Sequence, residues 1–460
     1  MDRLTDLAFE VVCIPCGDYD YSIFHAACIE QDTNTCKTVL WCSPSKMDTA
    51  LALKCTVRNS ACCSYSGFTA KDIVKNNKAL SLLHIIEKAE RNALAGLSLI
   101  HETARRGSLR QVKTIFKNTV RENIDKPSPL RDDDHATPLL LAARFNSCQV
   151  VRFLVENRAN KDAKDWMGRG ALHYAAMGGK EATVSYLLSV GIVVDYKTTW
   201  GKTALHIAAM NGYAAVVSIL VQSGADLESS TGFGDTPLLL AAEEGNIDCV
   251  KMLAHSGSNI NVSNMAHYTP LHNAAKEGHH VTVKFLLQHG SRVDAVSSCG
   301  ETPLSLAVRK KHGKEAVALL LQYGSSVNLR DLCGRTALHY CVDRDVAVLV
   351  VQKGADLHAA DIEGKTPLFL AALGGYEGVA DLLINQGSSV NAASKSGDTA
   401  LHEAAIRGHT NTAQVLLKYG ANINARTVTG ETPLSLAVIT SKVRMIQLLL
   451  SLGADYGYTP

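Results

Sequence analysis

Several things are missing from this 460-residue chain, and each absence excludes a class of protein. It has no apolar run of about 18 residues, so nothing in it reads as a membrane-spanning helix. It has no charge of one sign to speak of. Lys plus Arg number 46 against 44 Asp plus Glu, which leaves no global field to draw nucleic acid or a lipid surface. Aromatics make up 6% of the residues, with three Trp among them. Asp2, Asp6 and Glu10 interrupt the opening stretch, which argues against a secretory leader. The chain also lacks a Gly-x-x-x-x-Gly-Lys-Ser/Thr loop, a His-Glu-x-x-His pair and a Gly-x-Ser-x-Gly elbow. Its acidic and basic groups are spread along the length rather than gathered at one place. Neither an enzyme nor a bound cofactor is therefore expected.

What the chain has is a period. A Thr slot recurs at Thr137, Gly170, Thr203, Thr236, Thr269, Thr302, Thr336, Thr366, Thr399 and Thr432, in steps of 33, 33, 33, 33, 33, 34, 30, 33 and 33 residues. Thr can cap a helix, and Pro237, Pro270, Pro303, Pro367 and Pro433 follow it at the one helical position where a missing N–H costs nothing. Gly212, Gly245, Gly278, Gly375 and Gly408 then end that helix, and an apolar stretch such as 216–221 supplies a second one ending near Gly224. The polar residues before the next Thr suit a projecting hairpin. Such a unit cannot bury its own apolar face, so it must stack on its neighbours.

The motif Thr203-Ala204-Leu205-His206 with Ala208-Ala209, Gly212 and Gly224-Ala225 resembles the ankyrin-repeat family, strongly over 135–456. The resemblance implies an all-α solenoid of stacked helix pairs with projecting hairpins. Three segments are expected: 1–95, a degenerate Cys-rich stretch with the marks of decayed repeats around His25 and Gly67; 96–134, a weak capping repeat and connection; and 135–460, ten repeats. Three departures break the pattern. His267 replaces the hairpin glycine, so that hairpin is expected to turn differently. The Thr302 unit has one extra residue around Lys310-Lys311-His312, and the Thr336 unit is three residues short.

Eight of the thirteen cysteines lie within the first 63 residues, and Cys13-x-x-Cys16 with His25 and Cys28 invites a zinc reading. Without a second Cys-x-x-Cys pair, ordinary reduced thiols are the favoured reading. His173, His206, His272, His339 and His402 occupy one slot of five different repeats. Neighbouring helices sit roughly 8–10 Å apart, too far for these imidazoles to share an ion. Each is expected to be buried and bonded to a neighbouring backbone.

Recognition of other proteins remains. The family resemblance places partners on a concave surface of hairpin tips and exposed first-helix residues. Carried onto this chain, that surface is Trp166, Met167, Trp200, Phe233 and Tyr268 at the tips, with Met177, Met210, Glu243, Glu244, Lys276, Arg309 and Lys310 on the helices. Asn261, Asn328, Asn391 and Asn424 resemble sites of asparaginyl hydroxylation, against which stands a structural role in the hairpin. The expectation is a non-enzymatic scaffold or adaptor, monomeric and cytoplasmic, with nuclear residence also open. It needs no cofactor and engages neither nucleic acid nor the membrane interior. A substrate-receptor subunit of a ubiquitin ligase and a transcriptional regulator stay open as alternatives.

Overall fold

The structure, a computed structural model, describes residues 14–16, 19–21, 56–57, 99–118, 124–128, 135–145, 148–311 and 313–455. The chain divides into two compact bodies, Met1–Ile192 and Val193–Pro460. Among the described residues of the first body, helices pair as Leu99–Arg106 with Leu109–Asn118, Pro138–Phe145 with Cys148–Glu156, and Ala171–Met177 with Glu181–Ser189. Upstream of them, three short strands, Ile14–Cys16, Tyr19–Tyr21 and Thr56–Val57, pair antiparallel in that order. The suggested repeat relics around His25 and Gly67, and the Cys13, His25 and Cys28 of the zinc reading, lie outside the described residues.

The second body runs through eight repeats, each named here by its capping Thr. Local chemistry sets their boundaries. Thr203 Oγ1 accepts the His206 N–H, and Thr236, Thr269, Thr302, Thr366 and Thr432 cap in the same manner. First helices such as Ala204–Met210 and Pro237–Glu243 are therefore started on the residue that the sequence pattern marks. Second helices such as Ala214–Gln222 follow after a glycine turn. Along the stack, Val217, Leu220, Val250, Leu253, Val283, Leu286, Val317, Leu320, Leu383 and Leu416 have no solvent exposure. Burying each such side chain is worth about 1.5–3 kcal/mol, and the small Ala208-Ala209, Ala241-Ala242 and Ala274-Ala275 pairs let the first helices close up on one another.

Polar side chains stitch one repeat to the previous one. Asn246 Nδ2 donates to the carbonyls of Ala209 and Met210 at 3.0 and 2.8 Å, satisfying the end of the preceding first helix. His279 Nε2 does the same for the Glu243 carbonyl and His409 Nε2 for that of Leu373, at 2.9 and 3.2 Å. Tight contact follows. A Cβ at Gly234, whose φ is +84°, would stand 2.8 Å from the Met265 nitrogen.

The pattern breaks where the residue count changes. In the Thr302 repeat the first helix stops at Ala307, and the extra residue is taken up in the turn before Lys314–Gln322. In the Thr336 repeat the first helix shrinks to a 3-10 turn, Ala337–Tyr340, after which Cys341 is extended. Asp343 then recaps the chain by accepting the N–H groups of Asp345 and Val346. The three missing residues thus cost the last turn of helix one. His267 corrects an expectation: it adopts φ 60°, the conformation a glycine would take, and its N–H bonds Asn264 O at 2.9 Å, so the hairpin turns like the others. No helix among the described residues is long and apolar enough to cross a membrane.

Candidate partner-binding surface

Each hairpin is built around a short polar residue that holds the tip from inside. Asn264 Oδ1 accepts the N–H groups of Ala266 and Tyr268 at 3.1 and 3.0 Å, and Asp331 Oδ1 accepts those of Cys333 and Arg335, both at 2.9 Å. Thr231 and Ser297 play the same part through their hydroxyls. Such side-chain turns are what Asn, Asp, Ser and Thr supply in loops.

Successive tips are then bonded to each other. The carbonyl of Trp200 accepts the Gly232 N–H, Phe233 that of Met265, Ala266 that of Ser298, Cys299 that of Leu332 and Cys333 that of Ile362, all between 2.9 and 3.1 Å. The series continues through Glu363 to Lys395 and Ser396 to Val428. From Trp200 to Val428 the tips thus form a single hydrogen-bonded line.

That line carries exposed apolar groups. Trp200 is 59% exposed, Phe233 66%, Met265 72% and Leu332 73%. Trp200 and Phe233 have no ring partner among the described residues. Trp166 is exposed likewise on the first body, and the Met167 beside it gives its N–H to Asp165 Oδ1. Tyr268 stands apart from the line. Its hairpin keeps the register of the others with Met265-Ala266 at the tip, which corrects the expectation that Tyr268 stands there, and the half-buried Tyr268 hydroxyl bonds Glu301 of the next repeat. Burial, and then that carboxylate, raise its pKa to about 12.

The first-helix positions divide into two kinds. Met177 and Met210 are half-buried, and the Met210 sulfur lies 3.5 Å from Lys202 Nζ. Burial raises the pKa of Glu243, while Glu244 beside it is exposed. Lys276, Glu277 and Lys310 come together in a charge cluster, Lys310 Nζ being 2.9 Å and Lys276 Nζ 3.7 Å from the Glu277 carboxylate. Arg309 bonds Glu301 at 2.8 Å and lays its guanidinium 3.8 Å from the centroid of the Tyr340 ring. Tyr340 in turn donates to Asp331, and Arg335 bonds the buried Asp361 at 3.0 Å. Sequence reasoning missed this chain of contacts. Its members lie 26 to 33 residues apart or on different elements, and no local motif joins them.

The recurring histidines are structural. His206 Nδ1 accepts the Thr203 N–H at 3.1 Å and Nε2 donates to the Asp235 carbonyl of the next hairpin at 3.0 Å. His272, His339 and His402 repeat the arrangement. His173 is buried in the same slot and accepts the Gly170 N–H. Burial lowers the pKa of His206 to about 4, and lowers those of His272, His339 and His402. The four asparagines clamp neighbouring hairpins through both amide atoms. Asn261 donates to Gly290 O and accepts from Arg292 N, Asn328 joins Gly354 to Asp356, and Asn391 joins Gly420 to Asn422. Asn424 binds the side chain and backbone of Asp455.

The sequence profile described as "Ankyrin repeats (3 copies)" matches at 68–165, 100–198, 172–264, 238–331, 313–394 and 386–459. The putative ankyrin repeat protein L271 of Acanthamoeba polyphaga mimivirus is 34% identical over 79 residues, which is 16% of this chain. The chain spans only 11% of the length of that relative. A crystal structure of the human ASB11 ankyrin repeat domain is similar at 27% identity with a TM-score of 0.45, covering 48% of this chain and 99% of that one.

Proposed function

We propose that this chain, which belongs to the ankyrin-repeat family, binds its protein partners on the surface formed by its hairpin tips and the exposed ends of its first helices. Ankyrin repeats are protein-interaction modules that are generally non-enzymatic, and the chain is a scaffold or adaptor on that basis. The observation that carries the surface is the pair Trp200 and Phe233, more than half exposed and without a ring partner among the described residues. Aromatics of this kind concentrate binding energy because they desolvate a large area with few rotors. Met265 and Leu332 extend the contact line. Glu243, Glu244, Lys276, Arg309 and Lys310 set its polar border, and Met210 lies beside Lys202. On the first body Trp166, Met167 and Met177 supply the corresponding groups. The four asparagines serve the hairpins through their amide groups. The scaffold works as a cytoplasmic monomer without a cofactor or nucleic acid.

The test replaces Trp200 and Phe233 together with Ala. Helical signal and melting temperature should stay at the wild-type values, while proteins co-purified from native cells are lost, at about 2 kcal/mol or more per hot-spot ring. A variant that melts many degrees lower would show the rings to be packing groups. One that stays folded and keeps its partners would move the binding surface to the Glu243–Lys310 helix ends.

A further inference from the structure

The tips are unusual in what they withhold as much as in what they offer. Over five consecutive hairpins the tip pairs are Thr199-Trp200, Gly232-Phe233, Met265-Ala266, Ser298-Cys299 and Leu332-Cys333, without one charged residue. Their backbone is already committed. From Gly232 to Cys333 the first tip residue gives its N–H to the previous hairpin, the second gives its N–H to the turn-forming side chain, and the second carbonyl accepts from the next hairpin. A strand added to this edge would find no free N–H on the tip pairs from Gly232 to Cys333 and one free carbonyl in each, that of its first residue, so it could not make the paired hydrogen bonds that give strand addition its affinity.

The occupant must therefore bind through side chains and keep its own backbone satisfied. A helix does so, but its apolar stripe is about 100° wide or more and needs more than one line of apolar groups to cover it. Here the row beside the tips is Lys202, Asp235, Tyr268, Glu301 and Arg335, so a single line of apolar groups is on offer. A polyproline II segment does so with its backbone in water. Its geometry also fits: three residues at about 3.1 Å advance it by about 9 Å, and stacked helices are roughly 8–10 Å apart. An extended strand advances about 6.6 Å in two residues and about 13 Å in four, and loses register by the second tip.

Building on the tip surface as the binding site, we infer that its occupant is a proline-rich segment in the polyproline II conformation, bearing an apolar side chain at every third residue. One apolar side chain meets Trp200, the next Phe233, and the following ones Met265, Cys299 and Leu332. The prolines lie on the two rings, as such segments do on aromatic surfaces.

The test uses three labelled peptides of about 15 residues, long enough at ~3.1 Å per residue to pass five tips. One repeats Pro-Leu-Ser. The second has the same composition with the leucines at alternate positions. The third is an Ala/Lys/Leu helix with leucines along one stripe. Fluorescence anisotropy on the full chain should show the first peptide binding most tightly. Its affinity should fall by about tenfold or more when Trp200 and Phe233 are both replaced by Ala, and by less for Leu332→Ser. Equal binding of the two proline peptides would overturn the period-three register. Tip-dependent binding of the helical peptide alone would keep the tips as the contact surface and overturn the polyproline occupant. If no peptide binds in a manner that the double variant weakens, the inference fails, while loss of native partners in that same variant would leave the tip surface standing.

Discussion

The repeats from Thr203 to Thr269 and those from Thr302 to Thr336 solve the same packing problem by different means. In the first group each first helix is complete, and in the Thr203 and Thr236 repeats a side chain from the next repeat reaches back to its final carbonyls: Asn246 to Ala209 and Met210, His279 to Glu243. In the second group the Thr302 helix stops at Ala307, and the Thr336 repeat has lost the last turn of its first helix together with the carbonyls that turn would have presented. Charge and ring contacts occupy the place instead, with Glu301 and Tyr340 holding the Arg309 side chain and Asp343 supplying a new cap. Stacking therefore depends on neighbour contacts of adequate strength rather than on one particular set. A deletion is tolerated where polar groups of the adjoining repeats can close over it.

The largest expected difference between the two groups comes from a charge placed in the stack. Ala209 is fully buried between neighbouring first helices, so Ala209→Glu leaves an unpaired carboxylate there, at about 3–5 kcal/mol. Hydrogen exchange should speed up across the Thr203 and Thr236 repeats and stay slow in the Thr399 and Thr432 repeats. Uniform loss of protection throughout the second body would contradict a nearest-neighbour stack.

Acid should separate the repeats next. His206 is neutral in the fold, where burial lowers its pKa to about 4 from the ordinary 6.5. Between those values the unfolded chain binds more protons than the folded one, so stability is full above about pH 6.5 and declines as the pH falls towards 4. For His206 the whole decline is roughly 3 kcal/mol. His272, His339 and His402 shift in the same direction. Leu239 and Phe369 fill this slot in other repeats, which makes His206→Leu an acceptable probe. The variant loses the ring's bonds to Thr203 and to the Asp235 carbonyl and should be weaker at pH 7, but its denaturation midpoint should change less between pH 7 and pH 5. An unchanged slope would place the acid sensitivity elsewhere.

Sequence made the repeats, their caps and the buried histidine row legible, because all of these are local: Thr three residues before His, Pro after Thr, Gly at the turn. The candidate surface was legible in part. Trp200 and Phe233 are followed by glycines that mark their tips. Tyr268 was misplaced because His267 hides that mark, and Met265, the exposed residue of that hairpin, went unnoticed. The tip-to-tip hydrogen bonds and the Arg309–Tyr340 stack connect residues about one repeat apart, and nothing within either repeat announces them.

A smaller effect should come from that stack. Arg309→Ala removes both the ion pair with Glu301 and the contact with Tyr340, in a side chain that is about one-third exposed, and should cost about 1 kcal/mol. Coupling is the informative quantity. A double-mutant cycle of Arg309→Ala with Tyr340→Leu should return a non-zero interaction energy by chemical denaturation, since each removes the same contact. The half-buried Met210, which holds the corresponding position in the Thr203 repeat, has no such partner to couple with: Met210→Ala and Tyr340→Leu should be additive. If both cycles are additive, the guanidinium is a solvated charge and the broken repeats rely on Asp343 and apolar burial alone.

The smallest effect should be a gain. His267 is the one hairpin residue of the second body, among those described, that takes the glycine conformation with a side chain, at φ 60°. A side chain in the left-handed region costs about 1–2 kcal/mol, less for His than for a branched residue. Glycine relieves that cost but gives the unfolded chain more freedom, worth about 0.5–1 kcal/mol in the opposite direction. His267→Gly should therefore stabilise the body by under about 1 kcal/mol. The reverse change in a regular hairpin should be much worse. A Cβ at Gly201 would approach the backbone of Thr231 and Gly232 to about 3.0–3.1 Å, so Gly201→His meets both the backbone strain and a neighbour that cannot retreat without breaking the tip line. Denaturant midpoints of the two variants should move in opposite directions. Should His267→Gly be the weaker protein, the imidazole makes contacts that outweigh its backbone, and its place in the hairpin is one of packing rather than of tolerated strain.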